Sequence, residues 1–239
     1  MQLRVAYDDP AMTERPMNQR PMNQRPMNQP TTNPSTPRQF ARRDGAIRAA
    51  LELATEGGYD AVRMREVAER ADIALGTLYR YFGSKDHLLS ATMAHWAADL
   101  RGRVERRPPR SDSPVECVVE VLARASSSLE RKPRLAEALI KAVASSEPGV
   151  ADAAGDVSMN LRAMLEPLLL DLDHDVRDGL IDLISQVWHS SLMGWTNGRF
   201  PIHEVGVKME RAVRLILEPR FDRLGRAAPR AVPRAVVAG

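Results

Sequence analysis

The sequence predicts an all-α protein, in which a small N-terminal three-helix unit is joined to a larger helical body, with about nine helices in all. Three observations lead there. Apolar residues recur at spacings of three, four and seven, one stripe of a helix. No stretch alternates with the period of two that a half-buried strand needs. Glycines and prolines fall between the periodic segments, where helices stop and start.

In chain order, residues 38–55 carry Phe40, Ile47, Ala50, Leu51 and Ala54 on one face, and Gly57 and Gly58 end that helix. Arg65–Ala71 is a short helix with Val67, Ala68 and Ala71 turned inward, and Ala74–Phe82 is a second one. Ser84 is an N-cap for a longer helix with Leu88, Leu89, Ala91, Thr92 and His95. Further helices span Val115–Arg131, Pro133–Ser145, Ala151–Leu172, Val176–Gly198 and Ile202–Leu217. Pro114 and Pro133 suit first helical turns, and Asp173 and Asp175 place acid where a helix N-terminus favours it.

The termini read differently. Arg-Pro-Met-Asn-Gln occurs three times in tandem from Arg15, and seven of the 17 prolines precede residue 38. Proline every five residues bars a continuing helix, and too few apolar groups are present to offset ordering. Residues 1–37 are expected to be a disordered tail, as are 218–239 with Pro219, Pro229 and Pro233.

Composition limits the function classes. Hydrophobic residues make up 44% of 239, enough for a real core, and no apolar run approaches the ~20 residues of a membrane helix. The first ten residues lack the apolar segment of a signal peptide. A single cysteine, Cys117, excludes an internal disulfide framework and a cysteine-rich zinc module. A cytoplasmic location without membrane association is expected. The five histidines show no metal-ligand pairing with carboxylates. Asp171, Asp173 and Asp175 resemble half a calcium loop but meet Val176 where that loop needs glycine. No nucleophile elbow or phosphate loop is present, so neither a catalytic centre, a metal nor a cofactor is expected.

The net charge of +3 conceals a division. Residues 38–110 carry 14 Lys/Arg against 10 Asp/Glu, whereas residues 111–217 carry 11 against 16. The basic block suits a polyanion, and the acidic block does not.

Gly57–Leu89 reads GGYDAVRMREVAERADIALGTLYRYFGSKDHLL. It combines a short helix, a turn at Asp72–Ile73 and a second short helix. Ala68, Ala71 and Gly76 are small enough for close helix packing, and Val67, Ile73, Leu78 and Phe82 supply a little core. Thr77, Tyr79, Arg80 and Tyr81 are read as outward donors suited to a major groove about 12 Å wide, with Lys85 beyond them for a phosphate. This is a helix-turn-helix pattern.

Ala74–Lys85, Ala-Leu-Gly-Thr-Leu-Tyr-Arg-Tyr-Phe-Gly-Ser-Lys, resembles the signature of the TetR family of bacterial repressors, as do the preceding Gly-Gly-Tyr-Asp-Ala and Arg-Glu-Val-Ala. One departure is Arg63, where the family commonly has a capping Thr. The resemblance implies a DNA-binding domain over 38–84 and a ligand-binding and dimerisation domain over 85–217. It implies that Arg65, Leu75, Gly76, Thr77, Tyr79 and Arg80 face the duplex, while Tyr81, Lys85, Arg42 and Arg43 meet phosphates. A near-palindromic double-stranded operator follows, because two recognition helices of a dimer enter successive major grooves.

Within the second domain, Lys132–Ile140, Val187–Leu192, Trp195 and Ala212–Leu217 are similar to stretches of actinobacterial sterol-catabolism repressors. That subgroup implies release from DNA by a coenzyme A thioester of a sterol-derived acid. Expected pocket residues are Leu122, Leu129, Leu139, Val143, Leu161, Leu165, Trp188, Leu192 and Trp195, with the two tryptophans seven apart on one face. The last two helices are the expected homodimer seam, through Leu180, Leu183, Ile184, Val187, Ser191, Val205, Met209, Ala212, Val213 and Ile216. Two other readings stand beside this one. A drug-responsive efflux-type regulator would look much the same in sequence, whereas a helical acyl-thioester enzyme or carrier explains neither the motif nor the basic block.

Overall fold

The computed structural model describes residues 36–227, which form nine α-helices. Most of the two expected tails, 1–35 and 228–239, lies outside the described residues. The first helix, α1 (Pro37–Ala61), begins in a reciprocal capping box: the Thr36 hydroxyl accepts from the Gln39 N–H and the Gln39 side chain accepts from the Thr36 N–H. The helix breaks at Gly58, whose φ of 71° favours glycine, and one last turn follows. Gly57 is needed too, since a Cβ there would stand 2.6 Å from that of Ala61.

Two seven-residue helices come next, α2 (Met64–Arg70) and α3 (Leu75–Tyr81), then α4 (Lys85–Arg106), capped by the Ser84 hydroxyl on the His87 N–H. The body adds α5 (Pro114–Glu130), α6 (Pro133–Val143), α7 (Val150–Leu165), α8 (His174–Thr196) and α9 (His203–Ala227). Helix α1 packs on α2 and α3 within the head, and also on α6 and α4 of the body. In the body α4 lies against α7 and α6, while α9 lies against α5 and α8. One continuous core runs from Ala46 to Leu217, so head and body share apolar packing.

The structure corrects several readings. Helix α7 stops at Leu165 instead of Leu172 and passes into a 3-10 turn, Glu166–Leu168, where Pro167 lacks the N–H to continue it. Helix α9 runs through Pro219 to Ala227 instead of fraying after Leu217. Burial of Leu217 and packing of Phe221 on the core offset the missing proline donor. Phe40, read as a core residue, is 52% exposed because it lies a turn before the first contact with the core. Gly76 does not pack the short helices together: a Cβ there would meet nothing within 4 Å.

Candidate DNA-reading face and effector cavity

The reading face is built from two helices too short to stand alone. Helix α2 has no side-chain cap; its N-cap is Arg63, which instead pairs with Glu66 at 3.6 Å. The turn that follows places Asp72 at φ 51°, a left-handed conformation that aspartate tolerates. The Ile73 N–H donates to the Ala68 carbonyl at 3.0 Å and closes the turn. Val67, Leu78 and Phe82 are fully buried beneath it and fix how α3 sits on α2.

Arg65, Leu75, Gly76, Tyr79 and Arg80 are exposed, and Thr77 is half-buried beside them. Gly76 leaves this surface flat, so another backbone can approach it closely. Arg42 is exposed on α1. Three residues read as outward-facing are otherwise occupied. Tyr81 is only 6% exposed, and its hydroxyl is buried. It stands three residues after Leu78, so it shares the inward stripe. Lys85 donates to the Tyr59 carbonyl at 2.9 Å and lies 3.6 Å from the Tyr59 ring centroid. The Arg43 guanidinium stacks 5.2 Å over the Phe82 ring.

These contacts form a joint between head and body that helical periodicity alone does not reveal. The Tyr59 hydroxyl donates to Asp86 at 2.5 Å, and the Lys141 ammonium of α6 lies 4.3 Å from the Tyr59 ring centroid. Burial, then the hydrogen bond and charge of Asp86, push the Tyr59 phenol up to about 12. Burial lowers Lys85, against the opposing pull of Asp60 and Asp86. Arg134 of α6 donates to the Glu56 carbonyl at 3.0 Å. His87 completes the joint. Its Nδ1 accepts from the Gly83 N–H at 3.3 Å, its ring meets Phe82 edge-on, and Gly149 approaches so closely that a Cβ would lie 2.7 Å from the imidazole. Burial, and then the nearby Arg43 charge, lower the His87 pKa. Gly149 adopts a positive φ of 84°, and no spacing in the sequence marks it as the partner of His87.

The body holds a cavity of about 550 Å³ between α4, α6, α7 and α8, open to solvent on the side of Ser158, Gln186 and His189. Four expected residues line it: Val143, Leu161, Trp188 and Leu192. Met93, Ile140, Val157 and Ala154 add apolar wall, while Ser158, Ser185, Gln186 and His189 supply polar groups. The remaining expected residues stand elsewhere. Leu129, Leu139 and Leu165 are buried packing residues, and Leu122 borders a separate cleft against α9. Trp195 packs on the core without lining the cavity, because seven residues carry it ~10 Å along α8.

The expected dimer seam is largely internal. Leu180, Ile184, Ser191, Val205, Met209 and Val213 are buried within the monomer, where α8 and α9 pack together and α9 packs on α5. Val187, Ala212 and Ile216 are half-buried. The outer apolar positions are Leu183, Val207 and Leu215, with Val207 63% and Leu215 71% exposed. Periodicity identified the stripe facing the chain's own core, which is the more strongly apolar of the two.

No helix among the described residues is long and apolar enough to cross a membrane. A two-helix reader joined to a helical body with an apolar cavity defines a ligand-sensing DNA-binding regulator. The chain belongs to the TetR family: the model for bacterial regulatory proteins of the tetR family matches residues 46–92, and the tetracyclin repressor-like C-terminal domain matches 111–216. The HTH-type transcriptional repressor KstR of Rhodococcus jostii is 34% identical over 184 residues, covering 77% of this chain and 86% of that protein. KstR of Mycolicibacterium smegmatis is 36% identical over 189 residues, 75% of this chain and 88% of its own. A TetR transcriptional regulator from Rhodococcus sp. RHA1 superposes with a TM-score of 0.67 at 34% identity, over 75% of this chain and 97% of that one. Thermus thermophilus FadR, solved with lauroyl-CoA, shares the fold at a TM-score of 0.60 and 23% identity, over 74% and 93%.

Proposed function

We propose that this protein is a dimeric transcriptional repressor released from a near-palindromic operator by a steroid- or fatty-acyl coenzyme A thioester. The cavity carries the effector reading: a largely apolar wall of about 550 Å³ with polar groups grouped on α7 and α8 suits an apolar body with a polar attachment. The likeness to KstR repressors and the sterol-repressor resemblance of Lys132–Ile140, which supplies Ile140 to the wall, favour the same class. Arg65, Gly76, Thr77, Tyr79 and Arg80 read the duplex, and Arg42 meets phosphate. The dimer forms through the outer faces of α8 and α9, with Leu183, Val187, Val207 and Leu215 at its centre.

Release follows from the joint. Ile140 and Val143 touch the cavity, while Lys141 and Arg134 of the same helix touch α1. A ligand that favours one position of α6 therefore biases the seat of α1 and α4, and with it the spacing of the two reading heads. Titrating a protein–promoter complex with acyl thioesters in a gel-shift assay tests this. Release is expected, together with ~2.7 kcal/mol of added stability at 100-fold the dissociation constant. No release and no thermal shift with any thioester overturns the effector class. Release by hydrophobic drugs alone favours an efflux-type regulator.

A further inference from the structure

A second cavity, of about 500 Å³, lies between the C-terminal part of α4 and α5. Arg124 of α5 donates to the Arg107 carbonyl at the α4 C-cap and ties the two helices there. Helix α4 packs chiefly on α7 and α6, and α5 on α9, which leaves an open groove between them. Four arginines line it: Arg103 and Arg107 from α4, Arg124 and Arg131 from α5. Glu120 is the one carboxylate in the lining, and it is already paired with Arg124. No ion pair among the described residues involves the guanidinium of Arg103, Arg107 or Arg131.

Three uncompensated cations thus border one groove, two from the end of the basic block and Arg131 from the acidic block that follows. Helix C-termini favour basic residues and explain single arginines at such positions. They do not explain three that share a groove whose one carboxylate, Glu120, is paired with a fourth arginine. Guanidinium forks match phosphate oxygens bidentately, and several negative charges on one ligand are needed to balance three of them. Leu100 and Val104 give the groove an apolar floor, and Ser127 and Ser128 add hydroxyls. Such a lining suits a flat organic body that carries the phosphates. Duplex DNA does not reach it: Arg103 lies 18 residues along α4 from Lys85, which places it ~27 Å from the head.

We propose that the α4–α5 groove binds a phosphorylated, nucleotide-type anion through Arg103, Arg107 and Arg131. Two sources carry this chemistry: the adenosine phosphate end of a coenzyme A thioester, and a free nucleotide. The site rests on the groove itself and stands apart from the effector reading of the apolar cavity.

Calorimetric titration of the full chain with 3′-phosphoadenosine 5′-diphosphate at low salt tests the site. Binding is expected that weakens at least tenfold in the double variant R103Q/R131Q. It should be unchanged in R101Q, whose arginine pairs with Glu105 outside the groove. Both arginines are exposed, and equal melting temperatures verify the fold of the variants. No binding by the wild type, or undiminished binding by the double variant, overturns the site. Palmitoyl-coenzyme A and palmitate then separate the sources. If the double variant weakens the thioester but not the acid, the groove holds the phosphates of the thioester. If it weakens only the nucleotide, the groove serves a separate ligand. Failure of thioesters to release the operator would leave the nucleotide titration unaffected.

Discussion

The reading face occupies Arg65–Arg80, two seven-residue helices and the turn between them, whereas the walls of the apolar cavity come from four helices between Met93 and Leu192. The head exposes its working side chains and buries only enough to hold them: Val67, Leu78 and Phe82 lie underneath, with no side-chain cap on either helix. The body does the reverse and turns its working surface inward. A surface that reads DNA needs a local motif and support from below, while a cavity needs several long helices held apart.

The contrast can be broken most forcefully at Phe82, the fully buried anchor of the head. Phe82→Ala should cost ~3–5 kcal/mol, measured by chemical denaturation, and abolish operator binding, because Phe82 is the largest fully buried side chain beneath α3. A smaller effect, confined to function, is expected on the exposed side. Thr77→Ala or Tyr79→Ala should weaken operator affinity by ~1–3 kcal/mol in a gel-shift titration while leaving the melting temperature nearly unchanged. Lys85→Ala should differ from both by losing stability as well, since its ammonium holds the Tyr59 carbonyl.

Gly76 sharpens the comparison by opposite signs. Gly76→Ala meets open space and should raise stability by up to ~1 kcal/mol, as alanine does in a helix, yet lower operator affinity by crowding the groove. Tyr59→Phe removes the hydroxyl that reaches Asp86 and should cost ~1 kcal/mol in the same denaturation measurement. Its larger consequence is a weaker effector response of operator binding, because the tie between α1 and α4 is loosened.

The smallest effect is on pH dependence. His87 has its pKa lowered by burial and by Arg43, so the folded state resists the protonation that the unfolded chain accepts. Its contribution to stability is present above the ordinary histidine value of 6.5 and is lost as pH falls through and below it. His87→Gln should flatten that part of a melting-temperature profile. An unchanged slope between pH 7 and 5 would show that the joint does not sense protonation.

Much of the head was legible because its information is local. Turn, small core and exposed positions of α3 sit within one motif, and the capping deficit at Arg63 is visible from one residue type. Tyr81 was misread although its spacing from Leu78 placed it on the inner stripe. The body was legible as helices but only partly as a site. Val143, Leu161, Trp188 and Leu192 were found, while Leu139 and Leu165, equally apolar, serve as packing. Periodicity shows that a side chain is turned inward and is silent on whether the space beyond is filled. Most of the expected dimer stripe is buried within the monomer for the same reason, since α8 and α9 each have an inner and an outer apolar face.

The sequence by itself determined the helices, the helix-turn-helix, the division into a basic reader and an acidic sensor, and membership of one family of regulators. These depend on spacings within a few turns and on charge counts. Tertiary structure alone decided which leucines border the cavity, that Lys85 serves the joint, that α9 continues past Pro219, and that arginines of α4 and α5 share one groove. Each of these depends on how far apart two helices settle. That separation is set by the fit of side chains contributed from distant parts of the chain.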